Sequence, residues 1–193
     1  MTSAARRPGD GPRKAAHIFD TTLRLLAAHG YDGLTVEGIA AASGVNKTTL
    51  YRWWDTKDAL LADALDRSAL FRFTPPDTGS LRGDLTALTG YVRGLLTGPD
   101  SAGAVAAAFA AAASRPGLTH LVRNLLADRL DREQSIFDRA VARGEITADL
   151  DRTAVVDMLL GAVWLRVMFR GGDTDAHFDE TVVGLLVDGL PTP

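Results

Sequence analysis

Residues 35–57, TVEGIAAASGVNKTTLYRWWDTK, limit the possible folds more than any other stretch of this chain. Thr35 has the chemistry of an N-cap, and Val36, Ile39 and Ala40 follow on one helical face. Ala41 and Ala42 are small enough for a second helix to cross closely. Ser43-Gly44-Val45 makes the corner, where Gly44 can take the left-handed backbone that stops the first helix. Asn46 caps the next helix, Lys47 to about Trp53, with Val45 and Leu50 as inward anchors. Lys47, Thr48, Thr49, Tyr51, Arg52 and Trp53 are left on the outer side or at the exposed N-terminal end. They bring the donors and small polar groups that reach phosphates and base edges when a helix enters a major groove. A glycine corner between two helices is common by itself. Its surroundings decide the reading: a basic amphipathic helix before it, and a capped helix after it with Lys57 in the first turn.

The net charge of −3 argues against nucleic acid until it is divided along the chain. Residues 1–60 hold eight Lys and Arg against six Asp and Glu, whereas the rest hold thirteen against eighteen. A basic module on an acidic body suits DNA contact at one end only. Cysteine is absent, which excludes disulfides, thiolate chemistry and cysteine zinc sites. The basic N-terminus has no apolar signal-peptide core behind it. The most apolar stretch, residues 154–169, is shorter than a bilayer span and carries Asp157 and Arg166. These features predict a soluble, cytoplasmic protein.

The chain reads as all-α, with about nine helices and no strand-length alternation. Residues 1–10 predict a disordered arm from which Arg6 and Arg7, with Arg13 and Lys14 beyond it, can reach DNA. A helix-turn-helix domain over 11–55 opens with an amphipathic helix to His29, ended by Gly30. A connecting helix follows over 56–72 and a larger helical body over 73–193, the break falling at Thr74-Pro75-Pro76-Asp77. In the body, helices are predicted over 81–96, 102–114, 118–144, 152–170 and 176–190. Residues 152–170 are apolar on nearly every side, so that helix must be buried on more than one face. With the last helix, it predicts a two-helix surface that completes a four-helix bundle with a second copy of the chain.

The segment from about Arg13 to Leu65, roughly a quarter of the chain, resembles the DNA-binding domain of the TetR (tetracycline-repressor-like) family of bacterial regulators. The carrying residues are Gly30-Tyr31-Asp32-Gly33-Leu34-Thr35-Val36, Ile39-Ala40, Gly44-Val45, Leu50-Tyr51-Arg52, Thr56-Lys57 and Ala59-Leu60-Leu61. Arg143-Gly144-Glu145-Ile146 is similar to a recurrent body motif of the family. The resemblance implies that Thr35 and Lys57 hold phosphates at helix N-termini and that Tyr51 touches a phosphate. It also implies base reading by Thr48 and Thr49, with Asn46 and Lys47 at the groove mouth. Trp53 stands where the family usually has His or Tyr, and Trp54, a core residue by this reading, where it usually has Phe. Gly38, three after Thr35, leaves no reciprocal capping box.

An enzyme is not indicated. The four histidines are scattered, neither a catalytic nor a metal-binding constellation is found, and no cofactor motif appears. The expected protein is a homodimeric repressor that binds a palindromic operator and is released by a small apolar effector. Candidate pocket walls are Phe71, Phe73, Tyr91, Phe109, Phe137, Met158, Trp164 and Met168. The rival readings are a constitutive DNA-binding regulator without an effector and an architectural, sequence-tolerant binder. The latter would need a more basic surface than a pI near 5.8 provides.

Overall fold

The computed structural model describes residues 14–171 and 174–189, and all regular structure there is helical. The expected arm, with Arg6, Arg7 and Arg13, lies outside the described residues. The first four helices are α1 (Ala15–Gly33), α2 (Val36–Ser43), α3 (Lys47–Trp53) and α4 (Lys57–Arg67). A single 3-10 turn, Ala69–Phe71, follows α4. The body comprises α5 (Leu81–Thr97), α6 (Ala102–Ser114), α7 (Pro116–Ala142), α8 (Arg152–Trp164) and α9 (Ala176–Val187). Gly30 ends the regular part of α1, because its φ of 65° breaks the helical run before Tyr31. Gly44 does the same for α2 at φ 62°. Helix α7 starts two residues earlier than its apolar stripe, since Pro116 fits a first turn where its missing N–H is not needed.

Two cores hold the chain together. The first is built on Ile18, Leu26, Ile39, Leu50, Trp54 and Leu61, all buried, and it continues into the alanine face of α6 through Ala104, Ala108, Ala111 and Ala112. Helices α1 and α6 come very close. A Cβ added at Gly103 would lie 3.0 Å from the Cβ of Ala27, so any larger residue there would push the two helices slightly apart. The first core thus closes on the body, which the chain order alone did not suggest. The second core joins α5, α7, α8 and α9 through Leu85, Leu88, Phe137, Val155, Leu159 and Val183. Each fully buried aliphatic side chain contributes about 1.5–3 kcal/mol, so these cores outweigh every polar contact.

Two buried carboxylates are paired as burial requires. Asp84 accepts from the Thr78 backbone N–H at 2.6 Å and faces Arg139 at 3.5 Å, which ties the Pro75-Pro76 crossing to α5 and α7. Asp179 on α9 accepts from Arg93 on α5, 2.9 Å away. Losing one member of such a pair costs about 3–5 kcal/mol.

The end of α8 departs from expectation. The single helix predicted over 152–170 is regular only to Trp164, and Leu165–Arg170 widens into a π-helical turn that stops at Gly171, φ 59°. One face of this run is left open within the chain: Met158 is 58% exposed and Phe169 81%, with Leu165 and Met168 also exposed. Leu185 on α9 is 78% exposed, whereas Leu186 packs partly against the second core. The expected burial on more than one face is therefore not achieved inside one chain. Among the described residues no single helix is long and apolar enough to cross a membrane.

Candidate nucleic-acid interface

Three helix starts build the site, and each is fixed by a residue at its own N-cap. The Thr35 hydroxyl accepts from the Gly38 N–H at 3.0 Å, opening α2. The Asn46 side-chain oxygen accepts from the Thr48 N–H at 2.8 Å, opening α3, and Thr56 accepts from the Ala59 N–H at 3.1 Å, opening α4. Each cap satisfies one orphan donor and leaves further N–H groups at the helix end, where the macrodipole favours an anion. Leu50 is fully buried under α3, which locks its rotation. Trp54 anchors the C-terminal side. Its ring meets Phe19 edge-on at 5.8 Å and its indole N–H donates to Asp63 at 2.7 Å.

The outer side of α3 then carries exposed Lys47, Thr48, Tyr51 and Arg52, with Thr49 half-buried. Lys47 pairs with Glu37 at 3.2 Å, both side chains largely in solvent, so an incoming phosphate has only a weak competitor. Glu37 sits below the ordinary carboxylate range, first through backbone hydrogen bonding at the α2 start and then through Lys47. Asn46 spends its side-chain oxygen on the cap.

Two expected contact residues turn back toward the protein. Trp53 is half-buried against the first core, with Arg52 over its ring at 6.0 Å, because a side chain at the end of α3 is drawn onto the hydrophobic surface beneath. The Lys57 ammonium turns back from the outer surface. It donates to the carbonyls of Tyr31 at 3.0 Å and Leu34 at 3.1 Å and lies 4.0 Å over the Tyr31 ring. These carbonyls are exposed by the break after Gly30, which gives the cation a ready site. Tyr31 is a junction. Its hydroxyl donates to Asp58, and Arg115 lies over its ring at 4.8 Å while pairing with Asp32 at 2.5 Å. Burial and Asp58 push the Tyr31 phenol up to about 12. Arg115, at the corner between α6 and α7, thereby links the body to the α1–α2 connection.

A cavity of about 110 Å³ lies where the end of α4 meets α6 and α7. Among the described residues Phe71, Phe73 and Phe109 line it, joined by Leu65, Val105, Ala108, Val122 and Leu126, with Asp66 and Arg132 carrying charge. The other expected walls lie elsewhere. Phe137 is closed into the second core, and the Tyr91 ring meets that of Phe73 at a 43° tilt, centroids 4.8 Å apart. Trp164 packs on Phe109 at 4.2 Å, behind the lining. Met158 and Met168 are on the surface, on the open face of α8 and its π turn. Asp66 and Arg132 gave no signal in the sequence, where they read as solvated helix charges.

Family models match both halves of the chain. Bacterial regulatory proteins, tetR family, covers residues 18–64, and Tetracyclin repressor-like, C-terminal domain, covers residues 75–186. The chain belongs to the tetR family of bacterial regulatory proteins. An HTH-type transcriptional regulator of Mycobacterium tuberculosis is 34% identical across 100% of this chain and 95% of its own length. The DNA-binding transcriptional repressor TetR of Mycobacteroides abscessus is 31% identical, with 93% of each protein covered. Among solved structures, the TetR family transcription regulator SCO0332 superposes with a TM-score of 0.73 at 31% identity, covering 93% of this chain and 100% of that one. FadR from Bacillus subtilis, solved in complex with stearoyl-CoA, reaches 0.70 at 21% identity, covering 91% of this chain and 98% of that one, and speaks to the fold alone. The tetR-family chain is therefore a helix-turn-helix transcriptional regulator, in a family of regulators rather than enzymes.

Proposed function

We propose that the chain is a cytoplasmic homodimeric repressor that occupies a palindromic operator and leaves it when a small, mainly apolar molecule binds the body. The observation that carries this reading is the outer side of α3, where exposed donors sit over the fully buried Leu50 between the capped starts of α2 and α4. In the proposed complex Thr48 and Thr49 read base edges, while Lys47, Tyr51 and Arg52 hold the backbone. The N-termini of α2 at Thr35 and of α4 at Lys57 receive phosphates. Asn46 sets the α3 start at the mouth of the groove, and Lys57 leaves the Tyr31 and Leu34 carbonyls to reach the DNA.

Two readers on one dimer would meet half-sites about one helical turn apart, ~34–36 Å. The open apolar face of α8 and α9, with Phe169 and Leu185 exposed, supports pairing through the last two helices. The repressor name of the Mycobacteroides abscessus relative supports negative control. The cavity between α4, α6 and α7 supports an effector site.

Selection of bound fragments from genomic DNA tests the reading. A palindromic sequence should be enriched and bound far more tightly than random DNA at physiological salt. Equal affinity for random DNA would replace this reading with the architectural one. A thermal-shift ligand screen followed by operator-release titration tests the effector, and stabilising compounds that all leave operator affinity unchanged would indicate a constitutive regulator.

A further inference from the structure

We propose that the cavity between α4, α6 and α7 takes an apolar small molecule bearing a single carboxylate, and that Arg132 anchors this carboxylate by exchanging it for Asp66. The inference rests on the effector reading above and specifies its ligand class. Away from Asp66 and Arg132, the described walls are hydrocarbon and aromatic, among them Leu65, Phe71, Val105 and Phe109. At about 110 Å³ the space is somewhat smaller than an apolar cavity of ~150 Å³ that accepts benzene. One ring or a short branched chain fills it, and any head group must remain at the mouth.

Among the described lining residues, charge comes from Asp66 on α4 and Arg132 on α7, which approach to 3.7 Å with each side chain about half exposed. That distance is too long for a hydrogen bond, and a pair this exposed contributes little, about 0–1 kcal/mol. A guanidinium offers two parallel donors to a carboxylate, and the long arginine stem can follow a head group placed at the mouth. The short Asp66 side chain cannot follow a ligand in the same way. Leaving Arg132, it turns to water with little loss. An ammonium ligand would instead have to move outward to Asp66 and forfeit the apolar walls. The exchange also releases a weak contact between the body and α4, the helix whose first residue is Lys57. A ligand that binds better once this contact is released shifts the chain toward that arrangement.

Calorimetric titration of the full chain with benzoate and phenylacetate, against benzyl alcohol and benzylamine, tests the anchor. The carboxylates should bind at least ~10-fold more tightly than their neutral and cationic counterparts. Arg132→Gln should abolish that preference while leaving benzyl alcohol binding unchanged, which also reports an intact cavity. Asp66→Asn should strengthen carboxylate binding by removing the competing carboxylate. Equal binding of acid and alcohol, a preference for the amine, no binding of any carboxylate at millimolar concentration, or indifference to Arg132→Gln would overturn the inference. Operator affinity measured in the same samples separates the two proposals. Arg132-dependent binding without operator release supports the site and refutes effector-controlled release. Release by a compound that binds Arg132→Gln as well as wild type supports control by an effector and refutes the Arg132 anchor.

Discussion

The outer side of α3 and the outer side of α8–α9 are both open to solvent, and they are opposite in chemistry. The first presents Lys47, Thr48, Tyr51 and Arg52. The second presents Met158, Leu165, Met168, Phe169 and Leu185. Each lies on a helix locked by buried residues, Leu50 under α3 and Val155, Leu159 and Val163 under α8. Exposure alone therefore says nothing about the partner. A face of hydrogen-bond donors loses little by staying in water and gains when phosphates arrive, whereas an apolar face of this size is costly until another apolar face covers it.

Four experiments can break or sharpen this contrast, from the largest expected effect to the smallest. Placing acids on the apolar face, Phe169→Asp with Leu185→Asp, should give monomers by sedimentation. It should also lower operator affinity by ~10²–10⁴-fold, the loss expected when two linked readers become one. Helical content should persist because both side chains are exposed, while Leu186→Asp, partly packed in the second core, should lower thermal stability. An unchanged sedimentation coefficient in the double variant would remove the basis of the comparison.

On the polar face, Thr49→Ala should reorder the affinities of operator variants within the ~1–3 kcal/mol that a base-pair change carries. Lys57→Ala should instead weaken all sequences alike and reduce the salt slope by about one. Reversed outcomes in competition binding would mean that α3 does not enter the groove as proposed.

Beneath that face, Asn46→Ala removes the α3 cap and should cost ~1 kcal/mol, lowering Tm by ~2–4 °C in calorimetry. No change would show that packing of Leu50 alone sets this helix.

The smallest effect concerns pH. Glu145 is pushed up by burial, but hydrogen bonds from Arg143 and the Leu81 N–H outweigh this and hold it below its ordinary 4.5. A carboxylate lowered on folding stabilises the native state above its unfolded pKa, and the contribution is lost as pH falls through the folded one. Denaturant titration should show Glu145→Gln less stable than wild type at pH 7 and the gap closing in acid. A gap that widens in acid would reverse the assignment.

Much of the fold was legible because its signals are local. Thr35, Asn46, Gly30 and Gly44 act on backbone groups within a few residues, so helix starts and stops follow from neighbouring letters. The cavity was less legible. Phe71 and Phe109 border a cavity, but Met158 and Met168, which share their apolar character, face water. Trp53 ends α3 and Lys57 begins α4, but the direction of each side chain depends on a surface contributed from elsewhere, the first core for one and the Tyr31 and Leu34 carbonyls for the other. The π turn after Trp164 has no letter of its own, since Leu165–Arg170 would suit an α-helix equally well.

The sequence by itself determined that this protein is helical, where its helices break, and that two short helices meet at a tight corner near Gly44. Caps, glycine backbones and apolar periodicity act over three or four residues, and no distant partner is needed to read them. Tertiary structure decided that α6 completes the core of the first four helices, that Asp66 meets Arg132 at a cavity, and which apolar face of α8 is left uncovered. Those outcomes depend on which surfaces meet across long stretches of chain. Hydrophobic attraction rewards contact without direction, so the identity of each contact is set only when the helices pack.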